Sequence, residues 1–598
     1  MIGSGMALPD HTLVQLFDAQ VERTPHGLAL HGDDVAVTYE ALAAQSRAFA
    51  AVLSARGVRR GDVVALWMRR APSAVAAMLG VLRAGAAYLP LDASDPEDRV
   101  RFMVEDSGAR VLVTDDARRV LAGVATVSWD NAQPAPEVRL PIVSGGDLAY
   151  VIYTSGATGT PKGAGIEHAT ISALALDQAA GGAHRRSQIS ILSFDAHVWE
   201  LWPALVSGGS VHFVPDDVRA DVSGLLAWIA RARIEWAWLP TPLGELCLRA
   251  VWPACELHHL ALGGDTLHDV PDAARTFELL NGWGTTETTC VTTLGPVAPG
   301  TRPDIGRALP GQVVYVLDGD LAPVPAGATG QLFIGGGLVG RGYLRRPALT
   351  AERFVPDPFS PHAGARMYRT GDLGRWVSED RLEFLGRVDR QVKIHGVRIE
   401  LDEIERGLRQ LAGVRDAVVV ARDERGDGKR LIGYVTLEEH AAVGEPSVRA
   451  ALARTLPGAM IPSRIVVLDA FPLSPSGKLD RRALPDPPAP VTTTAPRSAT
   501  EHRIAAIWCK VLGLAEVGIH DSFFDLGGHS LQLTSVHRKL TADGVTGLKM
   551  THLFEHPTIA ALAAFVDAAP ERGHAAERGR TQASTRLAAR SGHEQGKT

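Results

Sequence analysis

Five short stretches of this chain gather glycines, hydroxyl residues and charged residues of the types that do chemistry. Residues 153–163, Tyr-Thr-Ser-Gly-Ala-Thr-Gly-Thr-Pro-Lys-Gly, set Thr154, Ser155, Gly156, Thr158 and Lys162 in one turn after the apolar run 148–152. Backbone N–H groups of such a turn can cradle phosphates, and the lysine adds countercharge. It is not a Walker A loop, because Pro161 precedes Lys162 and Gly163 follows it. Taken alone, an ordinary polar turn is the competing reading. Glu287 stands in Asn-Gly-Trp-Gly-Thr-Thr-Glu (281–287) and Asp372 in Tyr-Arg-Thr-Gly-Asp-Leu (368–373). In isolation each reads as a solvated charge at a strand end. Lys478 ends the turn Pro-Ser-Gly-Lys (475–478), and Ser530 ends Asp-Leu-Gly-Gly-His-Ser (525–530) at the head of a helix-period segment. For Ser530 the plain alternative is a helix N-cap. A hydrolase elbow is excluded, since GxSxG needs glycine where Gln532 stands.

Two further patterns carry no chemistry. Gly335 to Gly340 satisfies GxGxxG, but Arg-Gly-Tyr-Leu-Arg-Arg-Pro follows in place of an amphipathic helix, so dinucleotide binding is not expected. His258 and His259 are adjacent and in a strand point to opposite faces.

The elements that must position these residues follow from patterning. Up to about residue 385, apolar β-branched runs (VVALWM, RVLVTD, LAYVIYT, GSVHFV) alternate with segments of helical period, which predicts α/β layering. A helix is expected over 71–85, running into the strand Ala-Tyr-Leu-Pro-Leu-Asp, which Pro90 should confine to a short or edge role. From 386 to 484 the strand QVKI, the charged helix ELDEIERGLRQL and the strands DAVVVAR and LIGYVTL predict a small α+β unit. Residues 485–499, rich in Pro, Thr and Ala, read as a semi-rigid linker. In 500–568, Ile504, Ile507, Trp508, Val511 and Leu512, then Leu531, Val536 and Leu540, have the spacing of a bundle that is helical throughout. Residues 569–598, with Leu587 as their one large aliphatic, read as a disordered tail.

Composition excludes several classes. Of 598 residues, 45% are hydrophobic and 21% charged, and a net charge of −6 offers no global attraction to nucleic acid or anionic membrane. Four cysteines without CxxC spacing, no signal-peptide pattern and no run of about 20 apolar residues lead to the expectation of a cytoplasmic protein.

With the motifs in place, the chain resembles the adenylate-forming enzymes, a superfamily that includes acyl-CoA synthetases, firefly luciferase and nonribosomal peptide synthetase adenylation domains. The strings VTYEALAAQS, RAGAAYLPLD, SFDAHVW, NGWGTTE, GQLFIGGGLVGRGYL, YRTGDL, GRVDRQVKIHGVRIELDEIE and SGKLDR occur in that family's order. FDAHVW and DLGGHS point to the peptide-synthetase branch with a peptidyl carrier (thiolation) domain. The resemblance implies a large multi-layer α/β adenylation core (10–385), a small mobile α+β subdomain (386–484) and a helical-bundle carrier domain (500–568). It implies ATP and Mg2+ as cofactors, with Thr154, Ser155, Gly156, Thr158 and Lys162 along the triphosphate, Glu287 as the metal ligand and Thr286 beside the α-phosphate. Gly282 and Trp283 would meet adenine, Trp283 standing for the family's usual Tyr and Thr285 for its usual Pro. Asp372 would accept from the ribose hydroxyls with Arg387 nearby, Asp389 would be the hinge, Gly396 would admit the pantetheine arm in one orientation, and Lys478 would be the catalytic lysine in the other. Ser530 would carry 4'-phosphopantetheine.

The same resemblance implies an amino-acid pocket of Asp195, Ala196, Trp199, Trp238, Ala261, Gly263, Gly282, Cys290 and Val291. Asp195 would pair with the substrate ammonium, and the otherwise uncharged lining disfavours charged side chains. Glycines that leave depth and tryptophans that narrow it suggest a branched aliphatic substrate: valine first, then leucine, isoleucine or 2-aminobutyrate. The alternatives are an acyl- or aryl-CoA ligase and a noncatalytic carrier or scaffold. With no condensation or thioesterase segment in this sequence, the expected partners are a phosphopantetheinyl transferase and condensation or tailoring enzymes acting in trans, docking on the helix that starts at Ser530; an MbtH-like helper is compatible with the family.

Overall fold

Runs that are apolar at every position form strands covered on both faces, as parallel sheets require. In the computed structural model, which describes residues 11–567 except 33–34, 131–138, 157–158, 220, 269, 272–274, 395–396, 425–427, 440, 442–443, 473–478, 488–493, 524–525, 527, 529, 546–547, 549–551 and 554–555, Val63–Trp67 and Ala87–Pro90 are buried along their whole length. They are central in a seven-stranded sheet ordered Gly342–Tyr343, Lys162–Glu167, Leu148–Thr154, Ala87–Pro90, Val63–Trp67, Val111–Thr114, Ala125–Ser128. Ala87–Pro90 is therefore short, as expected, but lies inside the sheet and not at an edge. Pro90 is its last residue and pairs in register with Leu66, and the contact to Leu148–Thr154 is confined to Tyr88 opposite Tyr150. The missing N–H of Pro90 thus interrupts no ladder beyond the strand end.

A nine-stranded sheet carries six neighbouring strands in parallel: Leu28–Gly32, Ser210–Phe213, Arg185–Gln188, Trp236–Pro240, His259–Gly263 and Glu278–Trp283. Helices His168–Ala179 and Ala196–Ser207 bury Ile171, Leu174, Trp199, Leu201 and Trp202. The helix expected over 71–85 forms as Pro72–Arg83, with proline in its first turn and Gly85 at positive φ just beyond. A five-stranded antiparallel sheet follows, including Gln312–Leu317, Gly330–Gly336 and the long strand Arg366–Trp376 paired with Leu382–Arg387.

The small α+β part begins with the hairpin Gln391–Ile394 and Val397–Glu400, then the helix Leu401–Arg409. Leu401, Ile404 and Leu408 of that helix pack with Val419, Leu431 and Val435 of the strands Val414–Glu424 and Gly428–Leu437. This part and the sheets before it form one compact unit that ends at Leu484 and leaves out Asp216–Asp221, which group with the second unit that begins at Pro485.

In the second unit Ser498 caps Ala499–Leu512 with a reciprocal capping box to Glu501. Ile504 and Trp508 join Val536 and Leu540 of Ser530–Ala542 and Leu562 of Ile559–Asp567 in a closed core. The expectation of helix throughout is corrected between the first two of these helices. Gly513 adopts a left-handed conformation that stops the first helix. Beyond it, Val517, Ile519 and Phe523 enter the core at alternate spacings from turns and an isolated bridge, Ser522 to Thr558. The tail 569–598 lies outside the described residues.

Candidate functional site

The phosphate-type loop is closed by an antiparallel pair in which Thr154 stands opposite Lys162. Gly156 is required there, since a Cβ would lie 2.0 Å from the Thr160 carbonyl oxygen. Lys162 is buried; its Nζ lies 3.8 Å from Glu287 Oε1 and 4.7 Å from the centre of the Tyr343 ring. Thr154 Oγ1 is buried and without a partner among the described residues. Burial, then the nearby Arg398 charge, bring the Lys162 ammonium down to about 8 against the pull of Glu287.

Glu287 is fully buried on a 3-10 turn, Thr286–Thr288, and the next two residues, Thr289 and Cys290, both have positive φ. Such backbone costs roughly 1–3 kcal/mol per residue and persists only where its surroundings over-determine it. Here hydroxyls do so: Thr288 meets both Thr285 and Thr292 at 3.0 Å, and Thr289 donates to the Leu338 carbonyl at 2.9 Å. The Glu287 carboxylate accepts from Tyr343 Oη at 2.7 Å and Arg398 Nη1 at 2.9 Å. Burial alone would raise its pKa, but Arg398 and Lys162 outweigh that and hold it far below the usual carboxylate range. Among the described residues, no group of three or more His, Cys, Asp or Glu could hold a metal ion. A lone buried carboxylate beside a phosphate-type loop nevertheless fits Mg2+, which is commonly bound by one or two carboxylates together with substrate phosphates.

Asp195 ends the loop before helix Ala196–Ser207 and does not cap it; it accepts from Thr286 Oγ1 at 2.6 Å. Thr286, expected beside the α-phosphate, thus joins Asp195, expected to meet the substrate ammonium, to the Glu287 turn. Burial raises the Asp195 carboxyl, the Thr286 hydrogen bond lowers it, and the Glu287 charge raises it again. Parallel registry sets Trp238 beside Ala261 in mid-strand and Gly263 beside Gly282 toward the carboxyl ends of their strands, the end at which open α/β sheets bind ligands. Trp199 crosses over Gly282, and a Cβ there would meet its ring at 3.4 Å. Ala196 and Val291 are buried, and Cys290 is half-buried with its thiol pushed up by burial.

The Trp283 indole N–H donates to Asp372 Oδ2 at 3.0 Å, and its ring packs with Ile305, Val314 and Leu332. Arg387 contacts the other oxygen of Asp372 and grips Asp389 through two bonds of 2.7 and 2.8 Å. One guanidinium therefore joins the expected ribose acceptor to the expected hinge. Gly371 has φ +82° and a Cβ on it would run into both Arg387 and Asp389.

Sequence reasoning passed over Arg398, Lys393 and Tyr343. Lys393 and Arg398 face each other across the 391–400 hairpin. Like charges directly opposite are unfavourable unless anions meet them, and that cross-strand pair of basic residues was the available signal. Burial lowers Lys393, opposed by Asp372 and Asp265. Arg398 bonds Glu287, while its carbonyl accepts from Ser155 Oγ at 3.0 Å. Arg406 reaches Thr160 at 2.7 Å, and Arg99 meets Glu403 at 2.8 Å. Thr158, Gly396 and Lys478 lie outside the described residues, and Ser530 opens its helix.

The description "AMP-binding enzyme" belongs to a family model that matches residues 17–344. The chain belongs to the AMP-binding enzymes. The C-terminal domain of the same enzymes matches 403–478, and a phosphopantetheine attachment site matches 502–566. Tyrocidine synthase 2 of Brevibacillus parabrevis is 37% identical over 95% of this chain and 16% of its own length. Isonitrile lipopeptide synthase of Mycobacterium tuberculosis is 42% identical over 89% of this chain and 22% of its own. This AMP-binding enzyme thus spans a minor part of those relatives. A holo NRPS protein containing adenylation and PCP domains, bound to a vinylsulfonamide inhibitor, superposes with TM-score 0.78 at 26% identity, covering 93% of this chain and 96% of that one. An artificially fused adenylation-PCP di-domain from Klebsiella oxytoca gives TM-score 0.68 at 25% identity, covering 94% and 99%. The chain is an adenylate-forming ligase of the nonribosomal peptide synthetase type with a carrier domain. Among the described residues no helix is long and apolar enough to cross a membrane.

Proposed function

We propose that this enzyme activates a neutral, branched aliphatic amino acid with ATP, valine before leucine, isoleucine or 2-aminobutyrate, and loads it as a thioester on its own carrier domain at Ser530. One observation carries this reading: the Thr286 hydroxyl links Asp195, a carboxylate suited to an ammonium, to the turn that holds Glu287 beside Lys162. The substrate carboxylate oxygen bonds to the α-phosphorus as the bond to pyrophosphate breaks. Lys162 and the loop hydroxyls neutralise the phosphoryl charge, and Lys478 would meet the charge developing at the α-phosphate. Glu287 would hold Mg2+, which supplies charge neutralisation across the phosphates. Asp372 orients the nucleoside through its ribose hydroxyls. Ser530 would carry phosphopantetheine, which would supply the thiol that takes the acyl group in exchange for AMP.

The subdomain orientation supports assignment to the transfer half of this cycle, because Arg398 takes the place at Glu287 that a metal–phosphate complex would need. Partners follow from this chemistry: a phosphopantetheinyl transferase, and condensation or tailoring enzymes that consume the tethered amino acid. A panel of amino acids in the exchange of labelled pyrophosphate into ATP tests the reading. Valine, leucine, isoleucine and 2-aminobutyrate should drive exchange and glutamate and lysine should not; a preference for a charged amino acid overturns the pocket assignment.

A further inference from the structure

Trp199 closes one side of the proposed amino-acid pocket, its ring carbons 3.4 and 3.5 Å from the Cβ position of Gly282. Where that ring stands decides how much side chain the pocket admits. The ring's hydrogen-bond anchor lies outside the nine residues of the lining. The Trp199 indole N–H donates to Gln178 Oε1 at 2.9 Å, from the penultimate position of helix His168–Ala179. The Gln178 amide nitrogen donates to Asp177 Oδ2 at 2.8 Å, which fixes the amide with its oxygen toward the indole. Behind them lies Arg186, a buried guanidinium without a carboxylate partner among the described residues. It donates to the backbone carbonyls of Gln178 at 2.8 Å and Trp199 at 3.3 Å. It also stands 4.2 Å over the Trp236 ring, which meets Trp199 edge-to-face at 5.2 Å. A cation tied to the backbone of both residues has a structural use, but that use is to hold Gln178 and Trp199 in one relative position.

We propose that Gln178 is a positioning residue for amino-acid selection: it pins the Trp199 ring as the pocket wall and so limits the side chain accepted to small branched aliphatics. The inference rests on the pocket reading above. Without the acceptor the buried indole N–H loses its partner, and the ring gains a reason to pivot toward another. The space vacated lies over Gly282, which has no side chain of its own to fill it, and beside Leu294, whose Cδ1 is 3.5 Å from the same Cβ position.

The test uses the full chain and pyrophosphate exchange with valine, leucine and phenylalanine. Gln178→Leu should lower the kcat/KM ratio of valine to phenylalanine about tenfold, through KM of the amino acid, with KM for ATP unchanged. In a Trp199→Phe background, which has no N–H to hold, the same change should move the ratio less than twofold. A Gln178→Leu protein with wild-type ratios, or one that loses all three amino acids and ATP equally, overturns the inference. An equal effect of Gln178→Leu in both backgrounds overturns it too, because it would not act through the indole. A wild-type protein that exchanges none of the three overturns the activity reading instead, before any variant is compared.

Discussion

Lys162 shows how much of the site is electrostatic and how little of that is visible in a string of letters. Its loop was legible because hydroxyls, glycines and a lysine after an apolar run have few other uses. Its partners were not, since Glu287, Tyr343 and Arg398 come from distant parts of the chain. The lowered pKa has a sign that can be worked out. Below about 8 the ammonium is charged and attracts phosphate; as pH rises through about 8 that attraction is lost. Between about 8 and the ordinary value of 10.5 the unfolded chain holds a proton the folded chain has released, so this group's contribution to stability rises with pH while nucleotide affinity falls. Calorimetric titration with ATP should therefore weaken between pH 7 and 9.5, and a flat profile would count against Lys162 as a phosphate ligand. Trp283 was legible as a departure from the family's tyrosine, but not its hydrogen bond to Asp372, which needs the strand 366–376 folded beside it.

At the scale of elements, apolar runs located the strands because full burial leaves an unbroken apolar pattern. Pro90 misled because proline position within a strand, not its presence, decides whether a ladder is broken. The strand Gln391–Ile394 and helix Leu401–Arg409 were legible as elements, the return strand Val397–Glu400 was not, and their contacts, Arg406 with Thr160 of the loop, Arg398 with Glu287 and Glu403 with Arg99, depend on the arrangement of two subdomains. Those contacts predict a separation of steps. Arg398→Ala should leave Mg-ATP binding intact or tighter, because Glu287 is freed, and should slow transfer to the primed carrier about tenfold, within the usual range of coupling between sites. Isothermal titration and single-turnover loading check the two halves; weaker Mg-ATP binding would contradict it. In the carrier unit, Trp508 is fully buried and meets Phe523 at 4.9 Å. Trp508→Ala should destabilise that unit by about 3–5 kcal/mol, seen as a lower melting transition with pyrophosphate exchange preserved. Loss of exchange would show that the core serves more than the carrier.

For the whole molecule, two units divide the proposed labour, one that activates and one that carries. This division was legible from the Pro-rich stretch and the change of periodicity after it, whereas Lys478 and Gly396 bear on it from residues the structure does not describe. The chain also covers only 16% of tyrocidine synthase 2 and 22% of isonitrile lipopeptide synthase, so what those whole synthetases assemble does not carry over to it. The most direct test primes the full chain with phosphopantetheine, adds Mg-ATP and valine, and follows pyrophosphate exchange together with intact mass. Wild type should exchange and gain one valyl group, Lys478→Ala should lose exchange by orders of magnitude, and Ser530→Ala should exchange normally while gaining nothing. Equal loss of exchange in both variants, or a valyl group appearing on the Ser530→Ala protein, would contradict the account.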